Sequence, residues 1–181
     1  MSNKTSLRSI VSSEVGNLPS SVPINKDRYS LRVKSAVFGN SKSSGNPMIT
    51  VVSEIYSPES IVSVRDGKTY NVAGVEITGY YSLTEKALPK LAEFMEACGM
   101  PAEIDLDNPD VTEFIGKCYS QIVGSEERQQ RKELTESERA LGKKFGDPIL
   151  REDGSPEISY TAKGIGSPSK TSKVAPAGVS Y

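Results

Sequence analysis

Histidine is missing from all 181 residues, and so is tryptophan. The first absence removes the commonest general base near neutral pH and the commonest metal ligand. The second leaves tyrosine and phenylalanine as the only aromatic platforms. Cysteine is scarce: Cys98 and Cys118 build no disulfide framework, and without further ligands they build no zinc site. One falls at a helix end and one in a strand, where a small buried thiol is the usual occupant. No apolar run approaches the roughly 18–20 residues of a membrane span. The Ser-rich first 21 residues lack an apolar segment followed by a small-residue cleavage site, so no secretory leader and no membrane partner are expected. The glycines from Gly74 to Gly79 match neither nucleotide-binding fingerprint. In Asp105 to Glu113, Pro109 and the short spacing break the calcium-loop pattern, which leaves an N-capping acidic turn. The expectation is a non-enzyme with no catalytic residues, no metal and no cofactor, in a reducing cytoplasm.

The remaining charge is sorted along the chain. A net charge of −1 conceals seven Lys/Arg against two acids in residues 1–47, and eight acids against two lysines in residues 84–113. After Tyr160 come Lys163, Lys170 and Lys173 and no acid. Such asymmetry is an argument about association with a polyanion, not about fold.

The apolar residues gather between Tyr29 and Val123, enough for one modest core. Tyr29–Phe38 alternates, with Leu31, Val33 and Val37 on one face and Arg32 and Lys34 on the other. Met48–Tyr56 is its β-branched partner, and the turn formers from Gly39 to Pro47 make an exposed loop carrying Lys42. A connector with the turn signal Asp66-Gly67 follows, with a short strand at Ile61–Val64. The third main strand is Val75–Leu83, where Gly79 predicts a bulge or bend. Leu88, Leu91, Phe94, Met95 and Cys98 share one helical stripe that Gly99 and Pro101 end; Thr84 offers an N-cap, although Pro89 moves the regular start toward Ala87. A fourth strand runs from Lys117 to Val123. A charged excursion over about 125–155 reads as helix-like, and Asp153-Gly154 forms a hairpin into a fifth strand at Glu157–Lys163. The expected organisation is a flexible arm at 1–24, a domain at 25–166 and a disordered tail at 167–181. Three strands, one helix, then two strands is the order of an all-β, five-stranded Greek-key barrel with its helix between strands three and four.

Three motifs carry a family likeness: Ser43-Ser-Gly-Asn-Pro-Met48, Leu83-Thr-Glu-Lys-Ala-Leu-Pro-Lys-Leu-Ala-Glu-Phe94 with Cys98-Gly-Met-Pro101, and Phe114-Ile-Gly-Lys117 after the acidic spacer. Over residues 29–123 the chain resembles phage-encoded single-stranded-DNA-binding proteins of the oligonucleotide-binding (OB) fold. The resemblance implies sequence-tolerant binding of displaced single strands during phage replication or recombination, in host cytoplasm. The implied protein partners are phage replication or recombination proteins. A homo-oligomer is compatible with it. The chain departs from the acidic, partner-recruiting tail of many single-strand binders, since its own tail is basic and ends in Val179-Ser-Tyr181.

Sequence-tolerant binding needs cations along a groove and aromatic faces for bases. The candidate nucleic-acid-binding residues are Arg32, Lys34, Lys42, Tyr56, Tyr80, Lys117, Tyr119, Arg128, Arg131 and Lys132. The plainer readings are core-edge tyrosines whose hydroxyls reach water and a solvated helix with i,i+4 ion pairs in the excursion. A non-catalytic interaction or accessory module on the same fold, serving a replication partner or a virion, is the alternative function. RNA binding stays open as well, because a stacking groove rejects a 2′-hydroxyl only through a dedicated contact.

Overall fold

The structure is a computed structural model that describes residues 22–171. Among the described residues there are seven strands: β1 (Asp27–Asn40), β2 (Pro47–Ser57), β3 (Ser60–Val62), β4 (Thr69–Asn71), β5 (Glu76–Ser82), β6 (Cys118–Gln129) and β7 (Ile158–Ser169). Helix α1 (Leu88–Ala97) and a 3₁₀ turn (Val111–Phe114) separate β5 from β6, and a short helix (Glu136–Ala140) lies between β6 and β7. Five strands form one sheet in the order β5-β2-β1-β6-β7, a nearly closed antiparallel barrel of OB-like form. Two compact units divide the chain, Pro23–Glu126 with 162–171, and Glu127–Thr161. Among the described residues no helix is long and apolar enough to cross a membrane.

Alternation makes the barrel. On β2 every odd residue from Ile49 to Ile55 is buried and every even one from Met48 to Tyr56 is half-buried, so one face of the strand must be covered. On β5, Ile77 and Tyr81 point inward and Thr78 and Tyr80 outward. The register of β2 against β5 is continuous from Met48↔Ser82 to Glu54↔Glu76, so the bulge expected at Gly79 does not occur. Gly79 has a different cause: a Cβ there would stand 3.0 Å from the ring of Tyr81, which lies across it.

The bulges are elsewhere. Between β1 and β2 the pairs Val33↔Ser53 and Ser35↔Val52 leave Lys34 as an extra residue on β1. Beyond it the faces of β1 exchange. Val37, expected inward, pairs with Thr50 and is 61% exposed. A second shift, from Ser30↔Ser57 to Leu31↔Ile55, leaves Tyr56 as the extra residue on β2.

Helix α1 begins with Ala87 at the N-cap and Pro89 in the first turn, where a missing N–H costs no hydrogen bond. It buries Leu91, Phe94 and Met95. Phe94 is fully enclosed: its ring stacks on Tyr81 at 4.6 Å and on Phe114 at 5.7 Å, and meets Tyr119 edge-on at 5.2 Å. Each such aromatic pair adds about 0.5–1.5 kcal/mol beyond burial. The 3₁₀ turn that seats Phe114 is capped by Asp110, whose carboxylate accepts from the Thr112 N–H at 3.0 Å, the N-capping role expected of the acidic segment.

Several boundaries differ from expectation. The connector after β2 contains a β3–β4 hairpin around Asp66-Gly67, and β4 has too few residues for any alternation to show. The excursion contains strand as well as helix: β6 continues to Gln129, and only Glu136–Ala140 is helical, with Thr135 and Glu138 forming a capping box. At the start of the domain Pro23 and Ile24 are buried, and Ser125 Oγ bonds both the N–H and the carbonyl of Ile24 at 2.9 Å. Residues 1–21 of the expected arm lie outside the described residues. So does the tail beyond Thr171, while β7 runs to Ser169, past the expected start of the tail at 167. Main-chain pairing does not require apolar side chains, which is why Gly and Ser hold strand there.

Candidate nucleic-acid interface

Register assigns the outer face of the barrel row by row. Arg32 on β1 faces Glu54 on β2, which faces Glu76 on β5. Toward the β1–β2 loop comes the row Val37, Thr50, Tyr80. Tyr80 is 59% exposed and Val37 61%, so this row presents an aromatic ring and an aliphatic side chain to solvent. The loop above it is tightened by Ser41 N–H to the Asn46 carbonyl at 2.9 Å and Gly45 N–H to the Ser41 carbonyl at 2.8 Å, and carries an exposed Lys42.

The two strand cations are already matched. Arg32 donates to Glu54 Oε1 through Nε and Nη2, and the two side chains are 14% and 15% exposed. Lys34 Nζ lies 2.7 Å from Glu76 Oε1, with both side chains about half exposed (46% and 51%). The middle of the face is therefore locally neutral, a result that strand alternation alone does not reveal. The reason is cross-strand: Glu54 and Glu76 come from strands 22 and 42 residues away from their partners.

The tyrosines separate into three environments. Tyr80 is the exposed one. Tyr56, at the β2 bulge, is half-buried and hydrogen-bonds Thr171 and Ser30; burial, then the neighbouring Cys118, raises its pKa. Tyr119 was expected to stack on bases, but it is 3% exposed and belongs to the core. Its ring packs edge-on against Phe94 and its hydroxyl donates to Ser53 Oγ at 3.0 Å. Pairing with Leu31 places it on the inner side of β6, and burial pushes its pKa up to about 12. Lys117 is half-buried just before β6, and its carbonyl accepts from the Val33 N–H at 2.9 Å.

Arg128, Arg131 and Lys132 belong to the other unit, Glu127–Thr161. All three are exposed. Arg131 donates to the Gly146 carbonyl and to Gln129 Oε1, both at 3.2 Å, and its guanidinium lies 5.6 Å from the centre of the Phe145 ring. The Arg128 carbonyl accepts from Ser159 Oγ, and the Lys132 N–H donates to the Asp147 carbonyl. These residues organise their own unit, and Arg131 in particular is held by it.

Two concave features escaped sequence reasoning. One is a polar cleft of about 340 Å³ at the far end of the outer face, lined by Arg28, Lys170 and hydroxyl side chains from four strands and from Thr171, two residues past β7. Its members are scattered from 28 to 171, so no local pattern marks it. The other is an apolar groove of about 530 Å³ between α1 and residues 102–106, edged by Glu85 and Glu103. No family model matches the chain, and no curated protein matches it.

Proposed function

We propose that this chain binds single-stranded DNA without sequence preference and without catalysis, on the outer face of its barrel. One observation carries the reading: Tyr80 stands 59% exposed beside Val37 and Thr50, below the Lys42 loop, on the strands that OB folds use for oligonucleotides. An exposed ring on a rigid strand is a ready base platform, and stacking on it contributes about 1–3 kcal/mol for any base. Arg32 and Lys34 would reach phosphates only by exchanging carboxylate partners, so electrostatic attraction comes chiefly from Lys42 and the cations at the far end. The three motifs described above support a role on displaced strands in phage replication or recombination, in host cytoplasm, with the enzymes of those processes as protein partners. A titration of labelled oligo-dT, duplex DNA and RNA at two salt concentrations tests it. The expected result is salt-sensitive binding of the single strand, much weaker for duplex. Absence of any salt-sensitive single-strand binding would overturn it.

A second reading has its own observation. The acid-edged apolar groove along α1 suits a basic amphipathic segment of another protein, which describes a non-catalytic interaction or accessory module. Retention of no oligonucleotide at low salt, together with co-purification of a replication or virion protein, would favour it.

A further inference from the structure

We infer that the polar cleft at the start of β1 is a phosphate-group site. It brings together Arg28 and Lys170 with the hydroxyls of Ser30, Ser57, Ser120, Ser169 and Thr171, and no carboxylate lines it. A concave wall of two cations and five hydroxyls carries no acid to repel an anion, and its guanidinium and ammonium set the sign of what it would hold. Its volume of about 340 Å³ falls at the small end of ligand pockets, roomy enough for a phosphate with part of its ester.

The donors are held in place. Ser30 and Ser120 face each other across β1 and β6 and are 9% and 7% exposed, two of only four buried polar side chains among the described residues. Ser120 Oγ donates to the Tyr29 carbonyl at 3.2 Å. Ser169 Oγ lies 2.6 Å from Arg28 Nη1, from which it accepts, and donates to the Ser120 carbonyl. Ser30 Oγ and Thr171 Oγ1 are 3.2 Å apart, and Tyr56 shares hydrogen bonds with both. Ser120 and Ser169 commit their single protons to the Tyr29 and Ser120 carbonyls, so an entering oxyanion is met by Arg28 and Lys170 and by the Ser30 or Thr171 hydroxyl that turns its proton outward, in a wall the sheet already holds in place. Arg28 presents a planar fork that matches two phosphate oxygens at once.

Residues 28, 30 and 32 alternate to the same outer side of β1, so the cleft is continuous with the face that carries Arg32. The phosphate is therefore assigned to the backbone of the bound strand. In that source the inference rests on the single-strand reading; as an oxyanion site it does not.

The test uses the full chain, labelled for amide NMR and titrated with inorganic phosphate, then with oligo-dT. Saturable shifts at Ser30, Ser120 and Ser169, reversed when oligo-dT displaces phosphate, are expected. Arg28→Gln should weaken phosphate binding at least tenfold. Lys170→Gln, a change at an exposed position, should weaken it several-fold. Each substitution should also flatten the log–log salt dependence of oligo-dT affinity by about 0.7. Absence of saturable phosphate shifts in the wild type overturns the site, even if oligo-dT still binds through Tyr80. Phosphate binding that oligo-dT does not displace overturns the backbone assignment. Phosphate binding by a chain that binds no single strand at all upholds the site and removes the proposed function instead.

Discussion

Replacing Tyr80 by alanine separates binding from folding more cleanly than any other change. The side chain is 59% exposed on β5 and its neighbours across the sheet are Thr50 and Val37, so little apolar surface leaves the core. A surface change of this kind alters stability by no more than about 0.5 kcal/mol. If one base stacks on the ring, its loss costs about 1–3 kcal/mol, which is roughly a 5- to 150-fold rise in Kd. Fluorescence anisotropy with labelled oligo-dT at fixed salt measures it, with urea unfolding as the control. Tyr80→Phe keeps the π-face and should bind within about twofold of wild type. The salt dependence of Tyr80→Ala should be unchanged, because stacking releases no counterions. A Kd for Tyr80→Ala within twofold of wild type would refute the assignment of this row as the base platform. So would equal losses for the Phe and Ala variants, since the hydroxyl rather than the ring would then matter.

Glu76→Gln removes one negative charge from beside Lys34 and from the outer face, so oligo-dT should bind more tightly; an affinity equal to wild type would show that the strand does not approach this row. Phe94→Ala empties the centre of the aromatic cluster and should cost about 3–5 kcal/mol in urea unfolding; a loss below about 1 kcal/mol would place the core elsewhere. Alkaline pH acts through Tyr119, whose pKa is pushed from 10.0 up to about 12 by burial. The buried ring favours the protonated form, so its share of stability is complete below pH 10 and fades as pH rises toward 12. Two units correspond to roughly 3 kcal/mol. Tyr119→Phe should therefore lose less stability than wild type between pH 10 and 12, and parallel loss in the two proteins would refute the assignment.

Strict alternation on β2 and β5 made the barrel readable, because a strand with one covered face states its inside and outside residue by residue. The helical stripe ending at Cys98 and Gly99 was equally legible, as was the capped acidic turn before β6. Other features depend on partners far away in the chain. Lys34 as an extra residue is visible only in the register against β2, so alternation alone puts Val37 on the wrong face. Gly79 looked like a bend, whereas it clears room for a ring two residues on. Tyr119 carries the same composition signal as Tyr80, and only the pairing of β6 with Leu31 turns it inward. The matching of Arg32 and Lys34 by Glu54 and Glu76 is a cross-strand fact. So is the cleft of Arg28 and Lys170, whose members lie on β1 and just after β7 and become neighbours only once the sheet is formed.

The extra residue at Lys34 lets β1 turn its odd positions inward before it and its even positions inward after it without losing its pairing with β2. Deleting Lys34 would remove the bulge and set Ser35 directly after Val33, leaving Ala36, Val37 and Phe38 opposite Val51, Thr50 and Ile49 as they are now. A codon lost there would cost the side chain that meets Glu76 and leave the two sides of the sheet unexchanged.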